Sequence, residues 1–162
     1  PKLLTIWYYR EYMFWQQLAS NFVLHAVIIS WFIAQCTKLI VEWIRTRKLD
    51  LRLMMSAGGM PSSHSSSVTA AMLGVGLFEG FNTPLFGLAF VVTMIVLYDA
   101  AGVRRQAGIQ AHKINQIINE LLQGHPLSQK QLQEVLGHTP LQVFMGFLLG
   151  VVVALAVWYV QK

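Results

Sequence analysis

Long runs of hydrophobic residues alternate with short polar segments along this chain. No charged side chain occurs in residues 12–37, 53–78, 80–98 or 135–161. A helix needs about 20 mainly apolar residues to cross the hydrocarbon core of a bilayer, whereas a soluble domain cannot easily cover four such runs. The pattern therefore predicts an integral membrane protein of the all-α class, a helical bundle with about four transmembrane helices.

Glycine and proline turns between the runs limit the length of each helix. Within a single membrane domain over residues 1–162, we predict transmembrane spans at about 21–43, 62–79, 84–102 and 139–159. The second span is short and rich in small residues, which allows neighbouring helices to approach closely.

Two more helices are predicted outside the spans. Residues 1–16 combine six aromatic side chains with Lys2, Arg10 and Glu11. This mixture is typical of a helix at the membrane interface, and a docking surface for another protein is the alternative interpretation. Residues 103–137 form a linker in which apolar residues recur at helical spacing. They lie on one face of a predicted amphipathic helix and are Ile114, Ile117, Ile118, Leu121 and Leu122.

The composition agrees with a membrane protein, since 55% of the residues are hydrophobic and 12% are charged, against roughly 25% charged in soluble domains. The net charge of +5 is not accompanied by a nucleic-acid recognition motif, so we expect no nucleic-acid partner. Eight of the twelve Lys and Arg residues lie in segments 44–60 and 103–137, which four crossings put on one side of the membrane. The positive-inside rule places that side in the cytoplasm.

Ionisable residues stand at the ends of the spans on this same side. Lys38 lies near the end of the first span, His64 begins the second, Asp99 closes the third and His138 precedes the fourth. Ionisable groups at membrane depth are costly to hold there and are therefore functional candidates. For each one a structural role is the alternative. Lys38 can extend to the surface, Asp99 can neutralise neighbouring arginines, and the histidines can cap a helix or end a loop.

A turn of two glycines and a proline leads into Ser62 and Ser63 at the start of the second span. Backbone N–H groups and the helix dipole at such a start attract an anion, although the serines could equally serve close helix packing. A histidine can attack phosphorus or transfer a proton. Together these groups predict phosphoryl transfer with no cofactor and no metal, since the five histidines and the single cysteine show no metal-ligand spacing.

Three motifs stand at the ends of the predicted spans. Gly-Gly-Met-Pro-Ser-Ser-His-Ser at residues 58–65 resembles the Pro-Ser-Gly-His signature of the type 2 phosphatidic acid phosphatase superfamily. Residues 138–150, which begin with histidine and contain two spaced glycines, are similar to its last motif. Lys38 and Arg45 match its first motif, although Thr46 stands where proline is usual.

Two runs, 58–64 and 98–105, look like the divergent branch of this superfamily, which is described as acid phosphatase/vanadium-dependent haloperoxidase-related. The resemblance covers the chain from about residue 20 to its end. It implies a membrane hydrolase for lipid phosphates that forms a phosphohistidine and is sensitive to vanadate. A phospholipid or a polyprenyl phosphate would be its substrate.

The resemblance also implies a role for each matching residue. His138 would be the nucleophile, and His64 would be the general acid that protonates the leaving alcohol. Lys38, Arg45 and the backbone of Ser62–Ser63 would hold the phosphate oxygens.

The chain departs from the superfamily pattern at two positions. Leu132 stands where the last motif has arginine, and Gln142 stands where it has the acid that orients the histidine. Our hypothesis is that Arg104 or Arg105 replaces the missing arginine and that Asp99 replaces the missing carboxylate.

These departures leave a second class of function open. The alternative to a lipid-phosphate phosphatase is a non-catalytic membrane subunit that binds a larger complex. Transport of a lipid or a small anion is a third and less favoured interpretation, because four spans offer little room for a pathway. The glycines at 146 and 150 form a GxxxG pattern on which a homodimer could also assemble.

Overall fold

The computed structural model of the chain describes residues 13–55, 58–121 and 138–162. Its α-helices, in chain order, are α1 (Phe22–Thr46), α2 (Ser63–Glu79), α3 (Pro84–Ala101), α4 (Val103–Leu121) and α5 (Pro140–Gln161). A 3-10 helix, Leu51–Met55, lies between α1 and α2. Residues 13–19 are also helical, and no residue of the described ranges is in a strand. The prediction of an all-α membrane bundle is confirmed.

Both helices predicted outside the spans extend beyond the described residues. Residues 1–12 of the predicted interfacial helix and residues 122–137 of the linker lie outside those ranges. α4 covers the rest of the linker, and the apolar side chains of Ile114 and Ile117 are exposed on it.

Polar caps and prolines determine where the helices of the bundle begin. Each cap side chain accepts a hydrogen bond from the N–H three residues later, which satisfies one of the N–H groups that a helix start leaves unpaired. Prolines near the start of α3 and α5 lack the N–H that would be unpaired there. The caps are Asn21, Ser62, Thr83 and Thr139.

Three segments of the described chain are long and apolar enough to cross a membrane. They are Phe22–Thr46, Pro84–Ile118 and Pro140–Gln161. α2 has 17 residues and spans about 26 Å at 1.5 Å per residue, slightly less than the roughly 30 Å of the hydrocarbon core. It packs against α1, α3 and α5, and nine of its residues are buried, so α2 is the centre of the bundle.

The GxxxG glycines of α5 lie directly against the backbone of α2. A β-carbon added at Gly146 would come closer than 3.0 Å to Ser62 O, and one at Gly150 closer than 3.0 Å to Ser66 O. The two contacts advance in the same direction, so α2 and α5 are parallel. This glycine face is therefore used within the chain and is not exposed to a second copy.

α1 runs antiparallel to α2. A β-carbon at Gly74, near the end of α2, would touch Val23 at the start of α1, whereas Lys38 near the end of α1 binds Ser63 at the start of α2. α3 returns beside α2 after the turn at residues 80–83. The ends of α1 and α3 and the starts of α2 and α5 therefore share one end of the bundle.

We predict that Gly150→Ala lowers stability, because its β-carbon would overlap the backbone of α2. Overpacking of this kind costs about 1–3 kcal/mol. Gly87→Ala is the matched control, since a β-carbon there meets nothing within 4 Å; alanine in that helix should be neutral or stabilise by roughly 0.5–1 kcal/mol. The measurement is thermal unfolding in detergent, and equal midpoints for the two variants would contradict the close packing.

Candidate functional site

A group of polar side chains, four of them buried, lies where the end of α1 and the starts of α2 and α5 meet. We call it the polar cluster, and its members are Lys38, Ser62, Ser63, His138 and Gln142. The first four are between 0% and 5% exposed. The Ser62 N–H donates to Gln142 O over 3.0 Å, which fixes the start of α2 against the first turn of α5. Polar groups held this deeply in a membrane bundle are candidates for function.

Lys38 points into the bundle, so it does not extend to the surface. Its Nζ donates to Ser63 Oγ over 3.2 Å. Gly59 has φ +93°, a conformation that other residues rarely adopt, and brings the turn backbone against the lysine stem. A β-carbon at Gly59 would lie 3.5 Å from Lys38 Cγ and Cδ. The lysine ammonium is therefore held beside the N-terminus of α2, the positive end of that helix dipole.

Gln142 connects His138 to the cap of α5. Its Oε1 accepts the Thr139 N–H over 2.9 Å, while Thr139 Oγ1 accepts the Gln142 N–H over 3.3 Å. This is the reciprocal pair of a capping box. Because a backbone N–H can only donate, the pair requires the oxygen of the amide, and not its nitrogen, to face the start of α5.

The same oxygen determines the tautomer of His138. Nδ1 of His138 lies 3.3 Å from Gln142 Oε1, and an oxygen that can only accept requires a protonated Nδ1. In the neutral ring the buried Nε2 then keeps its lone pair. This is the form in which a histidine can act as a nucleophile.

Ser62 and His64, on either side of Ser63, differ in exposure: Ser62 is buried and His64 is exposed. Ser62 is used by the fold, because its hydroxyl accepts from the Ser65 N–H over 3.3 Å and from Ser65 Oγ over 2.9 Å, and its N–H is bound to Gln142 O. A phosphate at the Ser62 backbone would have to replace that last bond. His64, in contrast, is exposed on the first turn of α2, where it is accessible from outside the bundle.

The remaining candidate residues lie around the same end of the bundle. Arg45 has a side chain that is 78% exposed, and its Nε is 4.0 Å from Glu42 Oε2. Asp99 is half-buried near the end of α3, and Arg105 is exposed in the first turn of α4. Arg104 is in that same turn, and its side chain lies outside the described part of the structure, as does Leu132. Arg45 and Arg105 are thus exposed, whereas Lys38, the two serines and His138 are buried.

Thr139 is a site residue that the motif analysis did not identify. Threonine followed three residues later by glutamine is the sequence pattern of a capping box, so Thr139 and Gln142 could have been recognised from the sequence.

Among the described residues, no three His, Cys, Asp or Glu side chains are grouped as metal ligands would be.

Comparison with known proteins gives two matches. The sequence model of the Divergent PAP2 family matches residues 19–153. The uncharacterized membrane protein YuiD of Bacillus subtilis (strain 168) is 40% identical over 154 residues, which cover 88% of this chain and 98% of that protein. No solved structure matches the chain significantly.

We predict that Gln142→Leu releases the His138 ring from its Nδ1-protonated tautomer, because the oxygen that lies 3.3 Å from Nδ1 is removed. Thr139→Ala is the matched control, since it removes the other half of the capping box but not that oxygen. Each variant should lose about 0.5–2 kcal/mol of stability, and only Gln142→Leu should change the tautomer. The readout is the ¹⁵N NMR spectrum of the imidazole. A wild-type ring protonated at Nε2 would contradict the assignment.

Proposed function

Because this chain belongs to the Divergent PAP2 family, we propose that it is a membrane phosphatase that hydrolyses a lipid phosphate monoester or pyrophosphate without a metal ion. The reaction would run through a phosphohistidine on His138. The bilayer supplies the substrate, which is a phospholipid phosphate or a polyprenyl phosphate. The polar cluster lies at the bundle end that the positive-inside rule assigns to the cytoplasm.

The observation that carries this proposal is the position of Lys38. The buried ammonium of Lys38 donates to Ser63 and so lies beside the N-terminus of α2. Two positive potentials, that of the ammonium and that of the helix dipole, are therefore next to each other. Like charges at low dielectric repel strongly, so an anion between them would be favoured by both. A phosphate group carries the negative charge that such a position attracts, and His138 is joined to the same cluster through Gln142.

The proposed reaction has two displacements. In the first, Nε2 of His138 attacks phosphorus, the P–N bond forms, the P–O bond to the lipid breaks, and His64 gives its proton to the leaving oxygen. In the second, water attacks phosphorus, the P–N bond breaks, and His64 takes the proton of that water. Phosphate leaves and both histidines return to their starting states. Lys38 stabilises the charge on the phosphate oxygens during both steps.

Residues outside the cluster would complete the site once the headgroup is bound. We propose that Arg45, together with Arg104 or Arg105, contacts the phosphate from the exposed side. Asp99 takes the role of the acid that stands at the position of Gln142 in the superfamily. If Asp99→Asn and Arg105→Ala both keep full turnover, this replacement scheme is wrong.

The second candidate function is a non-catalytic membrane subunit. Two observations favour it: His138 is only 5% exposed, and its orienting partner is an amide that already serves the capping box. In that case the cluster would have a structural role, and the protein would co-purify with a stoichiometric partner.

We predict that the detergent-purified protein releases phosphate from lipid phosphates in the presence of a chelator, and that vanadate inhibits the release. His138→Gln should abolish it, and His64→Ala should slow it by about 10²–10⁴-fold, the usual contribution of a general acid. His25→Ala is the control, since that histidine lies at the start of α1 and binds Gln161. Absence of release by a folded sample from every lipid phosphate would favour the subunit.

We predict that Lys38→Met weakens inhibition by vanadate at least tenfold without lowering the unfolding temperature. The desolvation cost of the buried ammonium disappears with the charge, and replacing buried charges by apolar groups of similar volume is often neutral or stabilising. Inhibition and unfolding are measured on the same preparation, with Lys38→Arg as the variant that keeps the charge. Unchanged inhibition combined with a large loss of stability would assign Lys38 a structural role.

A further inference from the structure

An apolar groove of about 280 Å³ lies between α1 and α5. Thr37 and Val41 of α1 line one wall, and Leu148 and Val152 of α5 line the other, with Pro61 at one end. Leu148 is 40% exposed and Val152 is 62% exposed, so the groove opens sideways from the bundle toward the surrounding lipid.

The lining of the groove is almost entirely apolar. Thr37 is the one lining residue with a polar side chain, and its hydroxyl donates to Ile33 O over 2.7 Å. That bond turns the hydroxyl back toward its own helix, so an occupant makes mainly apolar contacts. A headgroup would lose its hydrogen bonds there, whereas a hydrocarbon chain would lose nothing.

The groove runs beside the polar cluster. Thr37 directly precedes Lys38, and Pro61 directly precedes Ser62. On α5 the groove extends from Met145, three residues after Gln142, to Val152. The seven residue steps from Met145 to Val152 correspond to about 10 Å along the helix axis. An extended hydrocarbon chain, at about 1.2 Å per bond by analogy with an extended backbone, covers that length with roughly eight carbons.

We propose that this groove holds one hydrocarbon chain of the lipid whose phosphate lies at the polar cluster; the inference rests on the proposed function. The volume is below the roughly 300–1,000 Å³ of pockets that enclose whole ligands, so a second chain of a diacyl lipid remains in the bilayer. Lipid tails are as apolar as the groove, and binding there adds little hydrophobic free energy. The groove acts by orienting the lipid, which holds the phosphorus in line with His138.

Filling the groove tests the proposal through turnover. Leu148→Trp and Val152→Trp should each lower kcat/KM for a long-chain lipid phosphate by about 10–100-fold, the cost of a small misplacement of the reacting atoms. Release from a chainless phosphate monoester should stay unchanged. Leu155→Trp is the matched control, because Leu155 is on α5 and 47% exposed but does not line the groove. Equal effects of all three variants, or an equal loss with the chainless substrate, would overturn the proposal.

Photo-cross-linking tests the occupant without requiring turnover. The probe is a lipid phosphate with a diazirine within the first eight carbons of one chain, and the control is the same lipid without its phosphate. We expect the phosphate probe to label Val41, Met145 and Leu148 preferentially, and the control to label lipid-facing residues all around the bundle. If the probe labels the groove but the protein releases no phosphate, the phosphatase proposal fails and the binding of a lipid chain in the groove stands. Phosphate release with labelling spread evenly would overturn the groove alone.

Discussion

The close approach of α2 and α5 is the constraint on which the rest of the structure depends. Gly146 and Gly150 let the backbone of α5 contact Ser62 O and Ser66 O of α2 directly. At that separation the Ser62 N–H reaches Gln142 O, and the starts of the two helices lie side by side. His138 is then joined through Gln142 to Ser62, the neighbour of the serine that binds Lys38. The glycines are thus needed for the candidate chemistry, although no glycine takes part in it.

Hydroxyl side chains are buried at the centre of this bundle, and some of them bond between helices. Ser30 and Ser66 form a hydrogen bond between α1 and α2, and Thr93 Oγ1 of α3 donates to Val68 O of α2 over 3.0 Å. In a membrane such bonds and close packing, and not the hydrophobic effect, hold helices together. The small hydroxyl residues of α2 therefore serve the packing, and only those at its first turn also face the candidate site.

Much of the fold follows from the pattern of hydrophobic residues, because the bilayer requires long uncharged helices. The grouping of Lys38, Ser63 and His138 was predictable from motifs at the ends of the spans. The exposure of Arg45 and the burial of His138 were not, since a motif records spacing along the chain and not which face of a helix is covered. The shared role of Gln142 also depends on geometry, because one oxygen accepts from both His138 and the capped backbone.

The length of α2 has a consequence for the membrane itself. α2 has 17 residues and is surrounded by α1, α3 and α5, so its shortness against a core of roughly 30 Å is met by those helices and not by the lipid. The start of α2 contacts Gly146, six residues into α5, and is therefore recessed by about 9 Å from the start of that helix. The bilayer need not deform for the first turn of α2 to lie deeper than the level at which α5 begins.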